Sequence, residues 1–273
     1  MNTSSPDSLQ RALDFVRGIE DRGAQRRVPF KWGTAFFHDE FPRIHDLNFL
    51  RVDGAPDDAT PQGLAAEADR LLGGASLSHR KIVVQDESLG ERLTPGFEEL
   101  GWEIVRLLYM EARRESERAL SPGVAAEVDI ETFLEARELS IRADRELVQE
   151  EDLVVQLRDS YKVWARACVA RPFAAFVDGE PVSTCELYSD GATAQIESVL
   201  TLEEHRNRGL GVAVVLLALH EARKAGDDMV FLIAEDDDWP KELYEKLGFD
   251  PIGRTHEFKI PDVSKKGRVQ PQD

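Results

Sequence analysis

Ile196-Glu197-Ser198-Val199-Leu200-Thr201, then Leu202-Glu203-Glu204-His205, then Arg206-Asn207-Arg208-Gly209-Leu210-Gly211, and then Val212 through Gly226: the reading of this stretch decides the fold. The first six residues form an apolar run broken by one acid, as in a short buried strand. A polar turn follows. The apolar-rich run from Val212 to Leu219 closes in Glu221-Ala222-Arg223-Lys224-Ala225-Gly226. That is a helix with cations in its last turn and a glycine where the C-cap belongs. A strand that enters a helix through glycines and arginines suits a phosphate. The first N–H groups of a helix lack intrahelical partners. Gly209 and Gly211 carry no side chain to hold a phosphate away, and Arg206 and Arg208 add cationic donors. An ordinary loop-to-helix junction with two incidental glycines would show the same glycines.

The spacing Arg-x-x-Gly-x-Gly after a strand resembles the acyl-CoA pyrophosphate loop of the GCN5-related N-acetyltransferases, the GNAT superfamily. A second match lies downstream at Leu243-Tyr244-Glu245-Lys246-Leu247-Gly248-Phe249, similar to the helix-and-turn signature of that family with its tyrosine in place. Two ordered motifs at a family-like separation are more specific than either alone. The resemblance covers roughly residues 165–260.

Composition bounds what else the chain could be. Its 273 residues suggest about two domains, and 42% apolar residues suffice for sizeable cores. No apolar run reaches the length of a membrane span. Met1-Asn2-Thr3-Ser4-Ser5-Pro6-Asp7 lacks the basic and apolar regions of a signal peptide. Cys168 and Cys185 are too few for a disulfide framework, and a reducing cytoplasm fits them as buried small residues. A net charge of −18 argues against nucleic acid as a partner. Against that acidic background the Arg206–Arg208 turn stands out as an anion site.

Taken in order, residues 8–23 read as a helix with Leu9, Leu13, Val16 and Ile19 on one side. Strands are expected at 31–37 and 47–52, and Thr60-Pro61 opens a helix stopped by Gly73-Gly74. A strand at 81–85, a helix at 91–100 and a strand at 103–109 follow. Ser121-Pro122-Gly123 marks a linker. Helices are expected over 129–147 and 150–167, a hairpin over 172–177 and 181–188 around Asp178-Gly179, a strand at 230–234, a helix at 240–247 and a strand at 254–260.

Phe97-Glu98-Glu99-Leu100-Gly101-Trp102 matches Tyr244-Glu245-Lys246-Leu247-Gly248-Phe249 at an offset of 244 − 97 = 147. The same offset puts Val83 on Val230, both in strands, and Leu72 on Leu219, both in helices, which suggests two copies of one unit. Glu-x-Leu-Gly-aromatic is also a common helix-end phrase, but the agreement of the surrounding elements favours duplication. By this offset Arg206, Gly209, Gly211 and Tyr244 fall on Ala59, Gln62, Leu64 and Phe97, so the first copy has lost the loop and the hydroxyl.

The fold expected is α/β (α+β): two tandem acyl-CoA N-acyltransferase-like domains, each a mixed central sheet flanked by helices. Residues 1–115 form a degenerate, shortened copy, 116–123 a linker, 124–262 the acetyl-CoA-binding domain, and 263–273 a polar tail. The tandem arrangement with one silent half also resembles the mycothiol synthase type. The resemblance implies an N-acetyltransferase that moves an acetyl group directly from acetyl-CoA, its acyl-donor substrate, to an amine, with no metal.

It further implies that Arg206, Asn207, Arg208, Gly209, Leu210 and Gly211 hold the pyrophosphate. Backbone groups of Val199, Leu200 and Thr201 hold the pantetheine arm on a strand that splays from its neighbour, with the Val199 N–H as oxyanion donor. Asp237 sits where many members carry an asparagine that contacts pantetheine, although a carboxylate cannot donate. Tyr244 is the acid for the departing thiolate. Glu197 is the candidate base, because on a regular strand 195, 197, 199 and 201 share a face. Gln195, where some members carry the base, cannot serve, and Glu186 or a water chain are the alternatives. A non-enzymatic acyl-CoA-binding or interaction module would use the same loop without needing Tyr244 or a base.

Overall fold

The computed structural model describes residues 6–121, 123–143 and 150–261. Pro122 of the expected linker, 144–147 at the end of an expected helix, and the expected tail 263–273 lie outside the described residues. The chain forms two compact units. One holds the described residues within 1–23, 109–234 and 238–252, and the other those within 24–108, 235–237 and 253–273. The N-terminal helix α1 (Pro6–Gly23) thus groups with the later sequence rather than with the rest of 1–115.

The unit of residues 24–108 begins with a hairpin, β1 (Arg26–Phe30) and β2 (Gly33–Phe37). β3 (Phe49–Val52), α2 (Pro61–Ala68), β4 (Arg80–Val84) and α3 (Glu87–Glu99) follow. β5 (Glu103–Ala112) leaves this unit at residue 108, and the C-terminal part of β11 (Phe249–Ile260) enters it. The strand order is β1-β2-β3-β4-β11, with β3 parallel to β4 and β11 antiparallel to β4. α2 starts at Pro61 as expected, whereas α3 starts at Glu87, before the expected 91, because Asp86 caps it. Thr60 accepts from the Gly63 N–H at 3.2 Å, and Asp86 accepts from the Leu89 N–H at 2.8 Å. The helices press Leu64, Leu93 and Phe97, and the π-helical turn after α2 presses Leu72, onto Ile82 and Phe258 of the sheet. Phe97 stacks on Phe258 with ring centroids 4.1 Å apart. β1, with two arginines and a proline in five residues, has no apolar alternation and is not legible as a strand.

The second unit contains β6 (Ala125–Glu127), α4 (Ile130–Ala143), α5 (Glu151–Asp159), α6 (Tyr161–Ala167), β7 (Val169–Val177), β8 (Glu180–Ser189), β9 (Thr193–Thr201), α7 (Leu210–Ala225), β10 (Met229–Glu235) and α8 (Pro240–Lys246). The order is β10-β9-β8-β7-β6, with β5 beyond β10. The β7–β8 turn has left-handed backbone at both Asp178 and Gly179, as the Asp-Gly pair predicts. The single helix expected over 150–167 is two. They divide at Ser160, whose hydroxyl donates back to the Leu157 carbonyl at 2.9 Å. The apolar stripe of α1 explains its place here. Ala12, Leu13, Phe15 and Ile19 pack with Tyr161, Tyr188 and Phe231, and Phe15 meets Phe231 edge-on at 5.7 Å.

The repeat at 147 residues recurs in the architecture. Phe30 pairs with Gly33 in the first hairpin and Val177 with Glu180 in the second (177 − 30 = 147). In each copy the hairpin leads to a strand, a helix, a parallel strand, a helix and a last strand. The last strands depart from a simple repeat, because the neighbour of β4 is β11 rather than β5.

Phe97 is fully buried and stacked, so Phe97→Ala is expected to cost about 3–5 kcal/mol. Urea unfolding followed by circular dichroism checks this. An unchanged midpoint would remove Phe97 from the core of its unit.

Candidate active site

The site is built where β9 leaves its neighbour. The parallel β9–β10 ladder joins Thr193–Ile196 to Met229–Leu232. There the register ends, while β9 runs on to Thr201 and β10 to Glu235. Beyond Ile196, one edge of β9 therefore carries backbone N–H and C=O groups outside that ladder. The other edge stays paired with β8, but irregularly. Between the pairs Glu186↔Glu197 and Thr184↔Leu200, β8 advances two residues and β9 three. The extra residue is a bulge at Ser198, whose φ of +52° is left-handed.

This bulge overturns one expectation. Regular alternation places Glu197 and Val199 on one face, but the extra residue inverts the parity between them. Val199 and Thr201 face α7. Gly211 of α7 is so close that a Cβ there would lie 3.3 Å from the Thr201 hydroxyl. Ser183, paired with Thr201, shares a 2.8 Å hydrogen bond with it. Glu197 faces the other side, with Gln195, Glu186 and Tyr188.

The loop between β9 and α7 is turned by left-handed backbone at Asn207 and Gly209, at φ +61° and +80°. Gly209 is the N-cap of α7 and supplies no side-chain cap. The helical ladder starts with the Ala213 N–H donating to the Gly209 carbonyl at 3.0 Å, so the amides of Leu210, Gly211 and Val212 precede it. The space above Gly209 is open for 4 Å around a notional Cβ. Arg206 donates to the Thr201 carbonyl at 3.3 Å, and Arg208 donates to His205 Nδ1 at 2.8 Å. Both arginines are exposed. At its far end α7 closes on Gly226, as the sequence predicts.

On the face away from α7 lies a buried polar group. Glu186 is 1% exposed. Its carboxylate accepts from Arg137 of α4 at 3.2 Å and from the Tyr188 hydroxyl. Burial raises its pKa against the pull of the Arg137 charge. Burial and the Glu186 charge push Tyr188 well above the usual phenol. Glu197 is half-buried, and Gln195 Nε2 donates to it at 2.5 Å. Tyr244, on α8, is buried and packs edge-on to Phe249. Its phenol is pushed up to about 12, first by burial and then by the charge of Glu197. Burial also raises both thiols, Cys168 to about 12, so neither is poised as a nucleophile.

Of the expected residues, β9 and the α7 entry bring together Val199, Leu200, Thr201, Arg206, Asn207, Arg208, Gly209, Leu210 and Gly211. Asp237 is grouped with the other unit, where Arg106 donates to it at 2.6 Å. Arg137 and Tyr188 were not singled out from the sequence. Arg137 is one of several charges on a polar helix, and Tyr188 reads as a strand aromatic. Only the pairing of β8 with β9 and α4 shows their link to Glu186.

The corresponding place in the first copy is closed. Thr60 caps α2 from within, and a Cβ on Gly63 would lie 2.6 Å from the Trp32 ring. Ala59 and Leu64 are core residues, and Phe97 is stacked in the apolar interior. Among the described residues no group of three or more His, Cys, Asp or Glu side chains is arranged to hold a metal ion. No described helix is long and apolar enough to cross a membrane.

Residues 133–249 match the acetyltransferase (GNAT) family. The uncharacterized N-acetyltransferase CgeE of Bacillus subtilis (strain 168) is 33% identical over 78 residues, which cover 28% of this chain and 30% of that protein. The match therefore spans less than a third of the relative. A conserved protein of unknown function from Staphylococcus epidermidis ATCC 12228 superposes with a TM-score of 0.65 at 17% identity, over 87% of this chain and 94% of its own. A GCN5-related N-acetyltransferase from Kribbella flavida reaches 0.56 at 21% identity, over 93% and 95%. A tandem GNAT protein from the clavulanic acid biosynthesis pathway reaches 0.52 at 14% identity, over 95% and 96%. At such identities these structures speak to the fold, and each covers nearly the whole duplicated chain. The later part of the chain is thus similar in sequence to the acetyltransferase (GNAT) family, and the fold is shared over most of its length.

Proposed function

We propose that this protein transfers an acetyl group from acetyl-CoA to an amine, at a site in the unit that contains β9 and α7. One observation carries the reading: an uncapped helix N-terminus stands directly after a strand whose ladder to β10 has opened. A diphosphate fits the first feature and an extended amide-bearing arm fits the second. The amides of Leu210 and Gly211, with Arg206, Asn207, Arg208 and Gly209, receive the pyrophosphate. Val199, Leu200 and Thr201 offer their backbone to the pantetheine arm. The Val199 N–H donates to the thioester oxygen as it becomes an oxyanion.

The inverted parity at Ser198 suits this chemistry. Acyl-CoA lies toward α7, and an amine arriving from the opposite face meets Glu197 on its own side. Glu197 takes the amine proton, nitrogen attacks the thioester carbon, a C–N bond forms and the C–S bond breaks. Tyr244 donates its proton to the departing thiolate. Its raised pKa keeps the phenol protonated throughout the neutral range, so the donor form is the one present. The first copy, with Thr60 and Trp32 occupying its helix entry, binds no acyl-CoA.

Arg206→Glu is expected to raise the acetyl-CoA KM about tenfold or more, since it sets a carboxylate against the pyrophosphate. Gly209→Glu should do the same and also strain a left-handed position. Unchanged affinity in both variants removes the loop assignment. Tyr244→Phe is expected to lower kcat by about a hundredfold with the acetyl-CoA KM little changed. Thiol release measured over a panel of amines provides both readouts. CoA binding without turnover on any amine would leave a binding module. Titration calorimetry with CoA should give one site per chain, and a stoichiometry near two would contradict a closed first copy.

A further inference from the structure

A cleft of about 610 Å3, within the size range of small-molecule sites, is lined by α1 and by the turn into β9. Its residues all belong to one compact unit. Thr193 opens β9 and lines the cleft, six residues before Val199, so the cleft stands about 20 Å along the strand from the candidate acyl-CoA site.

One wall carries an arginine that is anchored and yet uncommitted. Arg22 Nε donates to the Ala167 carbonyl at 2.5 Å, at the C-terminus of α6, where carbonyls lack intrahelical partners. That contact uses one of the five N–H groups of a guanidinium. The group folds back over Gly18, and a Cβ there would lie 2.9 Å from Nη1. Nη1 and Nη2 make no hydrogen bond or ion pair with the described residues. Such freedom is a departure in a chain where Asp and Glu outnumber Lys and Arg by 52 to 34. Glycine inside a helix is also a costly choice, and here it leaves the room that the guanidinium occupies.

The other charges in the cleft are negative. Asp14 stands one helical turn before Gly18, and its Oδ1 accepts from Gln10 Nε2 at 2.8 Å and from Arg17 at 3.5 Å. Asp190 Oδ1 accepts from the amides of Ala192 and Thr193 at 3.0 and 2.8 Å. The second oxygen of each carboxylate takes no hydrogen bond from the described residues. Arg11 is committed elsewhere, to the Thr193 hydroxyl at 2.7 Å, the Ala192 carbonyl at 2.9 Å and Asp228. Phe15, buried between the two signs of charge, adds an apolar wall. A phosphate in this cleft would face two carboxylates, and a simple amine would leave the Arg22 fork unmatched. A molecule with one carboxylate and one ammonium matches both ends.

We propose that this cleft binds a small zwitterion of the amino-acid class, its carboxylate on the Arg22 fork and its ammonium toward Asp14 and Asp190. The site is separate from the acyl-CoA loop and does not depend on the acyl-transfer reading.

Thermal shift of the full chain against each of the common amino acids, then titration calorimetry on the tightest, tests this. At least one should raise the Tm, and its analogues lacking the ammonium or the carboxylate should bind about tenfold more weakly or worse. For L-leucine those analogues are isocaproate and isoamylamine. Gly18→Ala suits the helix but crowds the fork, and should weaken the binding about tenfold. Arg22→Lys keeps the charge, loses the bidentate geometry and should weaken it by about as much. No Tm shift from any amino acid at about 10 mM overturns the proposal. Binding that either variant leaves intact overturns it too, because the ligand then sits elsewhere. An analogue with a single charge that binds as tightly as the amino acid removes the zwitterion class.

Discussion

The C-terminal unit depends on a parallel ladder that stops early. β9 and β10 are held together from Thr193 and Met229 to Ile196 and Leu232, and then each strand continues without the other. Backbone N–H and C=O groups are obligatory hydrogen-bonding groups, and leaving them unmatched beside a packed core is costly. The opening therefore needs support on both sides. On one side α7 packs apolar residues such as Val214, Ala218 and Ala222 inward, and Arg223 in its last turn donates to the Ala112 carbonyl of β5. On the other side β8 keeps β9 in the sheet, with one extra residue absorbed at Ser198. The gap is what remains when both neighbours are satisfied and the third is withdrawn.

The two copies show how little separates an open helix entry from a closed one. In α2 a threonine precedes the helix and its hydroxyl satisfies an amide that would otherwise face outward. In α7 the N-cap is Gly209, which has no side chain to offer such an amide. A tryptophan ring beside Gly63 fills the space in the first copy, while the space above Gly209 is empty. The backbone plan is shared, and the difference lies in a few side chains at one helix end.

Much of this was legible in the sequence, because it is written locally. Arg206 to Gly211 and Leu243 to Phe249 are contiguous motifs, and Gly226, Thr60-Pro61 and Asp178-Gly179 carry their own turn and cap chemistry. The duplication was legible because helix-end phrases and apolar runs repeat at a constant spacing. What was not legible depends on partners distant in the chain. The bulge at Ser198 is invisible until β8 is laid beside β9, and without it the face of Glu197 is assigned wrongly relative to Val199. Glu186 reads as one acid among many until Arg137 and Tyr188 are seen to close on it. The placement of α1 and the choice of β11 as the neighbour of β4 are likewise decided by which long-range packing wins.

That choice bears on how the protein is made. β4 is buried along all five of its residues, and its ladder to β11 uses residues 256–260, far downstream in the sequence. While the ribosome is still extending the polypeptide, residues 24–108 can form their hairpin, β3, β4 and both helices. They cannot finish their sheet, because the strand that closes it has not been synthesised. A strand edge is thus left open until residues 256–260 have been made, the kind of edge that recruits other chains. The unit of residues 24–108 is made first, yet its sheet is completed only once residues 256–260 have emerged.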